Sequence, residues 1–459
     1  MSEDKQREDL LREAFEKKRA FFDAGKTKSY EFRIEQLRKL KKAVHDNEAQ
    51  IMAALHKDLH KPAFEVFISE IALVLDEVGH AIKHLEKWMK PEKVSTPMAL
   101  HPSSCSILSE PLGVVLIIGP WNYPFQLLLA PLIGAIAAGN CAILKPSDQT
   151  PNTSNLVSRM LRELYHEDYV SAVQGPGAMV GPMLIERYRF DHVFFTGSPS
   201  VGRKIAEMAA RQLTPVTLEL GGKSPVIVAK DAAIDVTAKR LVWAKFFNAG
   251  QTCVCPDYLL VHRSVKSELL EKMKVQIREF LGQDPRKSDS FARIVNERRF
   301  NALTAYLKDG DVIIGGDTDK DQRYIAPTIL DNVSLDSPIM KEEVFGPILP
   351  VIPFDELTEV VSIVRRNRYP LALYLYTESK STEEYILERI EFGGGCINNG
   401  MVHLANTALP FGGVGNSGMG SYHGKYSFDV FSHKKSIVKT TTMLDPSLRS
   451  DHLIPVILI

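Results

Sequence analysis

The sequence predicts an α/β fold built as two successive α/β domains, and three observations carry that expectation. Short apolar runs at 114–118, 141–144, 170–173 and 192–195 alternate with helical stretches, the pattern of buried parallel strands joined by crossover helices. After Gly222 the alternation begins again, with strands expected at 226–229, 258–261, 348–352 and 371–376 and a helix over 267–280. A chain of 459 residues is long enough for two or three domains and a large core.

The elements before the first sheet read as helices from about residue 8 to 89. Phe67, Ile68, Ile71, Leu75, Val78, Ile82 and Leu85 recur at spacings of three and four and predict one apolar face. Lysine clusters such as Arg38-Lys39-Leu40-Lys41-Lys42 alternate with apolar residues, as on a solvated helix face, and the formal net charge is zero. Neither feature suits a nucleic-acid surface. The N-terminus is charged and mixed in sign with no apolar stretch behind it, so a cytoplasmic protein is expected. Five cysteines (Cys105, Cys141, Cys253, Cys255, Cys396) are too few and too uneven for a disulfide scaffold and are expected as thiols. The tail 453–459 is apolar but shorter than the ~20 residues that span a bilayer. It is expected to pack on a subunit or to touch a membrane weakly, without firm insertion.

Five segments carry chemistry. Cys253 follows Phe246-Phe247-Asn248-Ala249-Gly250-Gln251-Thr252 without zinc-ligand spacing and reads as a nucleophile. Glu219 ends the apolar run Thr217-Leu218-Glu219-Leu220 before Gly221-Gly222, where a strand hands over to a loop and a general base fits. Phe195-Thr196-Gly197-Ser198-Pro199-Ser200-Val201-Gly202 ends a strand and opens a helix with proline in its first turn, so free amides and the helix dipole there suit a phosphate. Lys145 and Asp148 put a cation and a carboxylate at the carboxyl end of another strand, where ligands bind in such sheets. Asn122, in Gly119-Pro120-Trp121-Asn122-Tyr123-Pro124, offers a side-chain amide to a developing oxyanion. The one literal G-x-G-x-x-G, Gly413 to Gly418, lacks a preceding strand, a following helix and a downstream acid, and reads as a tight loop instead. His56/His60 and His80/His84 share helix faces, but no third ligand accompanies them and no metal site is expected.

Together with Glu342-Glu343-Val344-Phe345-Gly346-Pro347, these segments resemble the aldehyde dehydrogenase superfamily over nearly the whole chain. The stretch Pro410 to Lys425 is similar to class 3, the fatty and aromatic aldehyde branch. The resemblance implies a Rossmann-like dinucleotide-binding domain (1–92 and 111–220), a second α/β catalytic domain (221–427), a small β bridging element for oligomerisation (93–110 and 428–445) and a tail (446–459). It implies NAD or NADP as cofactor, with Lys145 and Asp148 on the adenosine ribose, Gly197, Ser198 and Gly202 at the phosphates, and Glu343 and Phe345 at the nicotinamide end. Asp148 stands where the family usually has glutamate, which leaves room for a 2′-phosphate and keeps both dinucleotides open. A small-molecule aldehyde substrate and a homodimer are further implications. The rivals are a cysteine hydrolase or esterase without hydride transfer, which needs a histidine near Cys253, and a coenzyme-A-acylating relative, which often lacks the base at Glu219. Cys255, one residue beyond the nucleophile, is read as a small buried residue, with an oxidative switch as its sharper alternative.

Overall fold

A computed structural model describes residues 3–443, and the apolar tail lies outside the described residues. Each strand expected from the apolar runs is present to within a residue or two at its ends. The first sheet runs from Gly418–Met419 at one edge through Val216–Glu219, His192–Thr196, Val114–Ile118 and Cys141–Lys145 to Val170–Ala172. Its five strands from the first half are parallel. Three of them, beginning at residues 114, 141 and 192, are buried along their whole length, which is why they read as continuous apolar runs rather than alternating ones. The helix Gln126–Ala138, buried at every position, packs beside them.

The second sheet has seven strands, ordered Asp311–Ile314, Thr328–Asp331, Ile348–Phe354, Tyr258–His262, Pro225–Val228, Ala372–Tyr376 and Gly394–Ile397. Only its first pair is antiparallel. A third, antiparallel sheet joins Glu92–Val94, Ser104–Pro111 and Ser432–Lys439. The strand Gly418–Met419 comes from the second half of the chain yet pairs with Leu218 and Glu219, so the two halves are stitched together beside Glu219. The literal G-x-G-x-x-G forms a 3-10 turn at Gly415–Ser417 leading into that strand, a tight loop as its context indicated.

The helical periodicity before residue 89 needs one correction. A π-turn at Phe67–Ile71 inserts an extra residue into the helix register. Phe67 is therefore exposed and Ile68 only half-buried, while Glu65, Ser69 and Glu70 turn inward. Beyond the π-turn the apolar face resumes as Val74, Val78, Ala81 and Leu85.

Candidate active site

Cys253 sits on a loop whose shape is set by three consecutive residues in the left-handed region, Asn248 (φ 51°), Ala249 (φ 51°) and Gly250 (φ 72°). Such a run is costly for L-residues and survives only when its surroundings fix it. Glu65 accepts the Asn248 N–H at 2.9 Å. The Gln251 side chain donates to the Arg293 carbonyl at 3.0 Å and accepts the Val295 N–H at 3.0 Å. At Gly250 a Cβ atom would lie 2.2 Å from the Gly346 carbonyl oxygen, so only glycine lets the thiol loop lie against the segment Glu343 to Pro347.

The turn bearing Asn122 is tied to the same loop. Asn122 is buried, and its amide donates to the Gln251 carbonyl at 3.2 Å. The Tyr123 hydroxyl lies 2.6 Å from Thr252 Oγ1. The structure thus brings Asn122 and Cys253 together, at the carboxyl end of the strand Val114–Ile118 and next to the thiol-bearing loop.

Glu219 ends its strand only 2 % exposed, with both carboxyl oxygens lacking any hydrogen-bond partner. Burial drives its proton affinity well above the usual carboxylate range. Burial also raises the Cys253 thiol, helped by the neighbouring Glu343 and Glu219 carboxyls. The N–H groups of Val254 and of Cys253 itself oppose that rise by hydrogen-bonding to the sulfur. Tyr422, fully buried, feels both Glu219 and Cys253 electrostatically and packs edge-on against Phe411. The His423 ring stacks on Phe411 at 5.2 Å and meets Tyr422 edge-on at 4.3 Å.

Glu343 lies against Gly221, where a Cβ would come within 2.1 Å of Oε2. Burial, then Asp257, pushes its carboxyl up to about 8, opposed by the Gly222 N–H. Phe345, at φ 47°, meets the Trp121 ring edge-on at 5.2 Å. Lys223 braces this segment by pairing with Asp257 and donating to the Ile339 and Glu342 carbonyls, each at 2.9 Å.

The residues expected to hold a dinucleotide line the carboxyl end of the first sheet. Lys145 Nζ is buried, donates to the Pro146 carbonyl at 2.9 Å and stands 4.0 Å from Asp148. Asp148 accepts the Gly177 N–H at 3.4 Å, at the start of the helix Gly177–Arg187. The Gly197 N–H donates to the Glu219 carbonyl at 2.9 Å, which joins the glycine turn to the strand of the buried acid. Ser198 takes the N-cap conformation of the helix Pro199–Ala210 without capping it with its side chain. That leaves first-turn amides for an anion. Gly202 packs on Leu220, so its smallness serves helix-to-strand contact. A buried ammonium with one protein acceptor, an uncapped helix start and an acidic ribose partner fit a dinucleotide.

Sequence reasoning missed Lys61, Glu65, Glu70 and Gln251, all buried. For Glu65 and Glu70 the available signal was two carboxylates in a helical stretch otherwise read as apolar; Lys61 and Gln251 offered none. Cys255 was read as a small buried residue, and its Sγ lies 3.4 Å from both the Lys245 and Pro256 carbonyls. Among the described residues no group of three or more His, Cys, Asp or Glu could hold a metal ion, and no helix is long and apolar enough to cross a membrane.

With this geometry in hand, comparison with known proteins is consistent throughout. Residues 3–437 match the aldehyde dehydrogenase family. The 4,4′-diaponeurosporen-aldehyde dehydrogenase of Staphylococcus aureus is 46 % identical over 97 % of this chain and 96 % of its own. Human aldehyde dehydrogenase family 3 member B1 is 44 % identical over 93 % of this chain and 91 % of its own. A solved structure, the substrate-bound state of Staphylococcus aureus AldH, superposes with a TM-score of 0.94 at 46 % identity, covering 96 % of each chain. Thiol, buried acid and dinucleotide cradle thus sit in a chain that belongs to the aldehyde dehydrogenase family, on its class 3 branch, and oxidises aldehydes with NAD or NADP.

Proposed function

We propose that Cys253 is the nucleophile, Asn122 the oxyanion donor and Glu219 the general base of this oxidation, acting on medium- or long-chain aliphatic or aromatic aldehydes. The Cys253 thiol passes its proton to the ionised Glu219 carboxylate, which releases it to solvent before deacylation, as the sulfur adds to the carbonyl carbon, and the oxyanion of the resulting thiohemiacetal accepts from the Asn122 amide and the Val254 and Cys253 N–H groups. Lys145, Asp148, the Gly197–Gly202 turn, Glu343 and Phe345 would hold the dinucleotide, which would supply the hydride acceptor for the substrate carbon. Glu219 then takes a proton from the water that attacks the Cys253 thioester, and the carboxylate leaves as the thiol is restored.

The observation that carries the assignment is the unpartnered, buried Glu219 carboxyl within electrostatic reach of the thiol. It favours hydrolysis over transfer to coenzyme A. A plain cysteine hydrolase lacks support, since His262, the histidine nearest in sequence to Cys253, pairs with Ser264 at 2.8 Å and meets Phe354 edge-on. Buried aromatic side chains in and near the thiol-bearing region (Tyr123, Phe247, Phe411, Tyr422) support an apolar substrate, as does the name of the Staphylococcus aureus relative. The domain division at 220/221 and a cytoplasmic homodimer belong to the same reading. The exposed strand Glu92–Val94 and the largely exposed Ser432–Lys439 support the three-stranded sheet as the bridging element.

Glu219→Gln tests the assignment. Rapid mixing is expected to show one stoichiometric burst of reduced nicotinamide followed by steady turnover slower by about 10²- to 10³-fold. Unchanged steady turnover removes Glu219 from the mechanism.

A further inference from the structure

Behind the Asn122 turn lies a group of buried charges that the mechanism does not use. Lys61 and Glu70 have no exposed side-chain surface, and Lys61 Nζ lies 2.5 Å from Glu70 Oε1. Lys61 also donates to the Asn122 carbonyl at 2.9 Å and sits 4.1 Å from the centre of the Tyr123 ring. Glu70 Oε2 accepts the N–H groups of Phe125 and Gln126, both at 3.0 Å. The same ion pair therefore fixes both ends of the turn from Asn122 to Gln126. The Asn122 carbonyl takes a second donor, Asn248 Nδ2, at 3.2 Å, and Asn248 is itself held by Glu65. The π-turn makes this possible, because its extra residue brings Glu70 round to the buried side on which Glu65 lies.

A buried ion pair is a poor way to gain stability, since desolvation offsets the attraction. What it does well is hold an orientation. One N–H of the Asn122 amide goes to Gln251; the other is left for substrate oxygen. Where that second N–H points depends on the backbone that Lys61 grips. We propose that Lys61, held by Glu70, is a positioning residue that aims the Asn122 amide at the carbonyl oxygen of the aldehyde. The inference rests on the oxyanion role of Asn122 proposed above and deepens it.

A double-mutant cycle tests both and keeps their failures apart. Steady-state kcat and KM are measured with benzaldehyde at saturating dinucleotide for the unsubstituted enzyme, Asn122→Ala, Lys61→Met and the double variant. Asn122→Ala is expected to lower kcat by about 10²- to 10³-fold. Lys61→Met is expected to lower kcat by about 10- to 100-fold with KM within about threefold, but to cost less than about threefold in the Asn122→Ala background, where no amide remains to be aimed. A merely structural lysine gives equal losses in both backgrounds, and that result overturns the inference while leaving Asn122 in place, as does a Lys61→Met enzyme with undiminished kcat. An Asn122→Ala enzyme with normal kcat overturns the oxyanion role and the inference with it. If Lys61→Met does not fold, Lys61→Met/Glu70→Gln, which strands no charge, enters the same cycle and is judged by the same outcomes.

Discussion

Glu70 and Glu219 are both buried carboxyls within reach of the catalytic loops, yet their surroundings are opposite. Glu70 is met by an ammonium and two backbone N–H groups; Glu219 is met by nothing among the described residues. Leaving a buried polar group unpaired costs about 1–3 kcal/mol. The molecule bears that cost on the side where water and substrate must be activated and avoids it on the side that only has to stay still. For this pair of carboxyls, the satisfied one braces a turn and the unsatisfied one faces the thiol.

The contrast is sharpened most by removing the cleft's own reactive group. Cys253→Ala is expected to lower turnover by at least about 10⁴-fold while leaving the melting temperature unchanged, because the sulfur is not part of the fixed scaffold. A large fall in melting temperature would place Cys253 in the scaffold and break the distinction. Gly250→Ala attacks the other side. A methyl group at φ 72° pressed on the Gly346 carbonyl is expected to cost about 3 kcal/mol or more in urea unfolding and about 10²-fold in kcat. Retained stability would mean the thiol loop adjusts freely.

Glu77 is the intermediate case and gives the smallest effect. It accepts the Gly424 N–H at 2.8 Å and the Ser427 hydroxyl at 3.1 Å, neutral donors that only partly offset burial, and its carboxyl is pushed up to about 7. Between the unfolded value near 4.5 and the folded value near 7, the folded chain keeps a proton that the unfolded chain has lost. Stability therefore falls as pH rises through that window and levels off above it. Glu77→Gln lacks this loss, so its stability relative to the unsubstituted protein is expected to rise by about 2–3 kcal/mol from pH 4.5 to pH 8 in urea titrations. A difference that stays flat with pH would show that Glu77 ionises alike in both states.

Much of this was legible in the sequence because the signals were local. Apolar runs such as 114–118 and 192–195 gave the strands, and the roles proposed for Glu219 and Ser198 rest on their place at a strand end and a helix start. The literal glycine fingerprint at 413–418 was rejected correctly because its flanks were wrong. The charged scaffold was not legible. A π-turn cannot be seen in a three-and-four periodicity, which puts Phe67 on the apolar face and gives no sign that Glu65 and Glu70 turn inward. Nor does any local pattern state that residue 61 will reach the carbonyl of residue 122, a contact that exists only once the link between the helices Glu48–Leu59 and Ala63–Val66 has packed on the turn before the helix Gln126–Ala138.

The strand Gly418–Met419 carries a consequence for the order of assembly. It closes the open edge of the sheet beside Glu219, some two hundred positions after the base and well past the nucleophile. A nascent polypeptide that has emerged only as far as residue 417 already contains thiol, acid and cofactor cradle, yet its base still lies on an unprotected border. The border beside Glu219 is thus covered only after residue 419 has been made and its strand has paired with the first-made sheet.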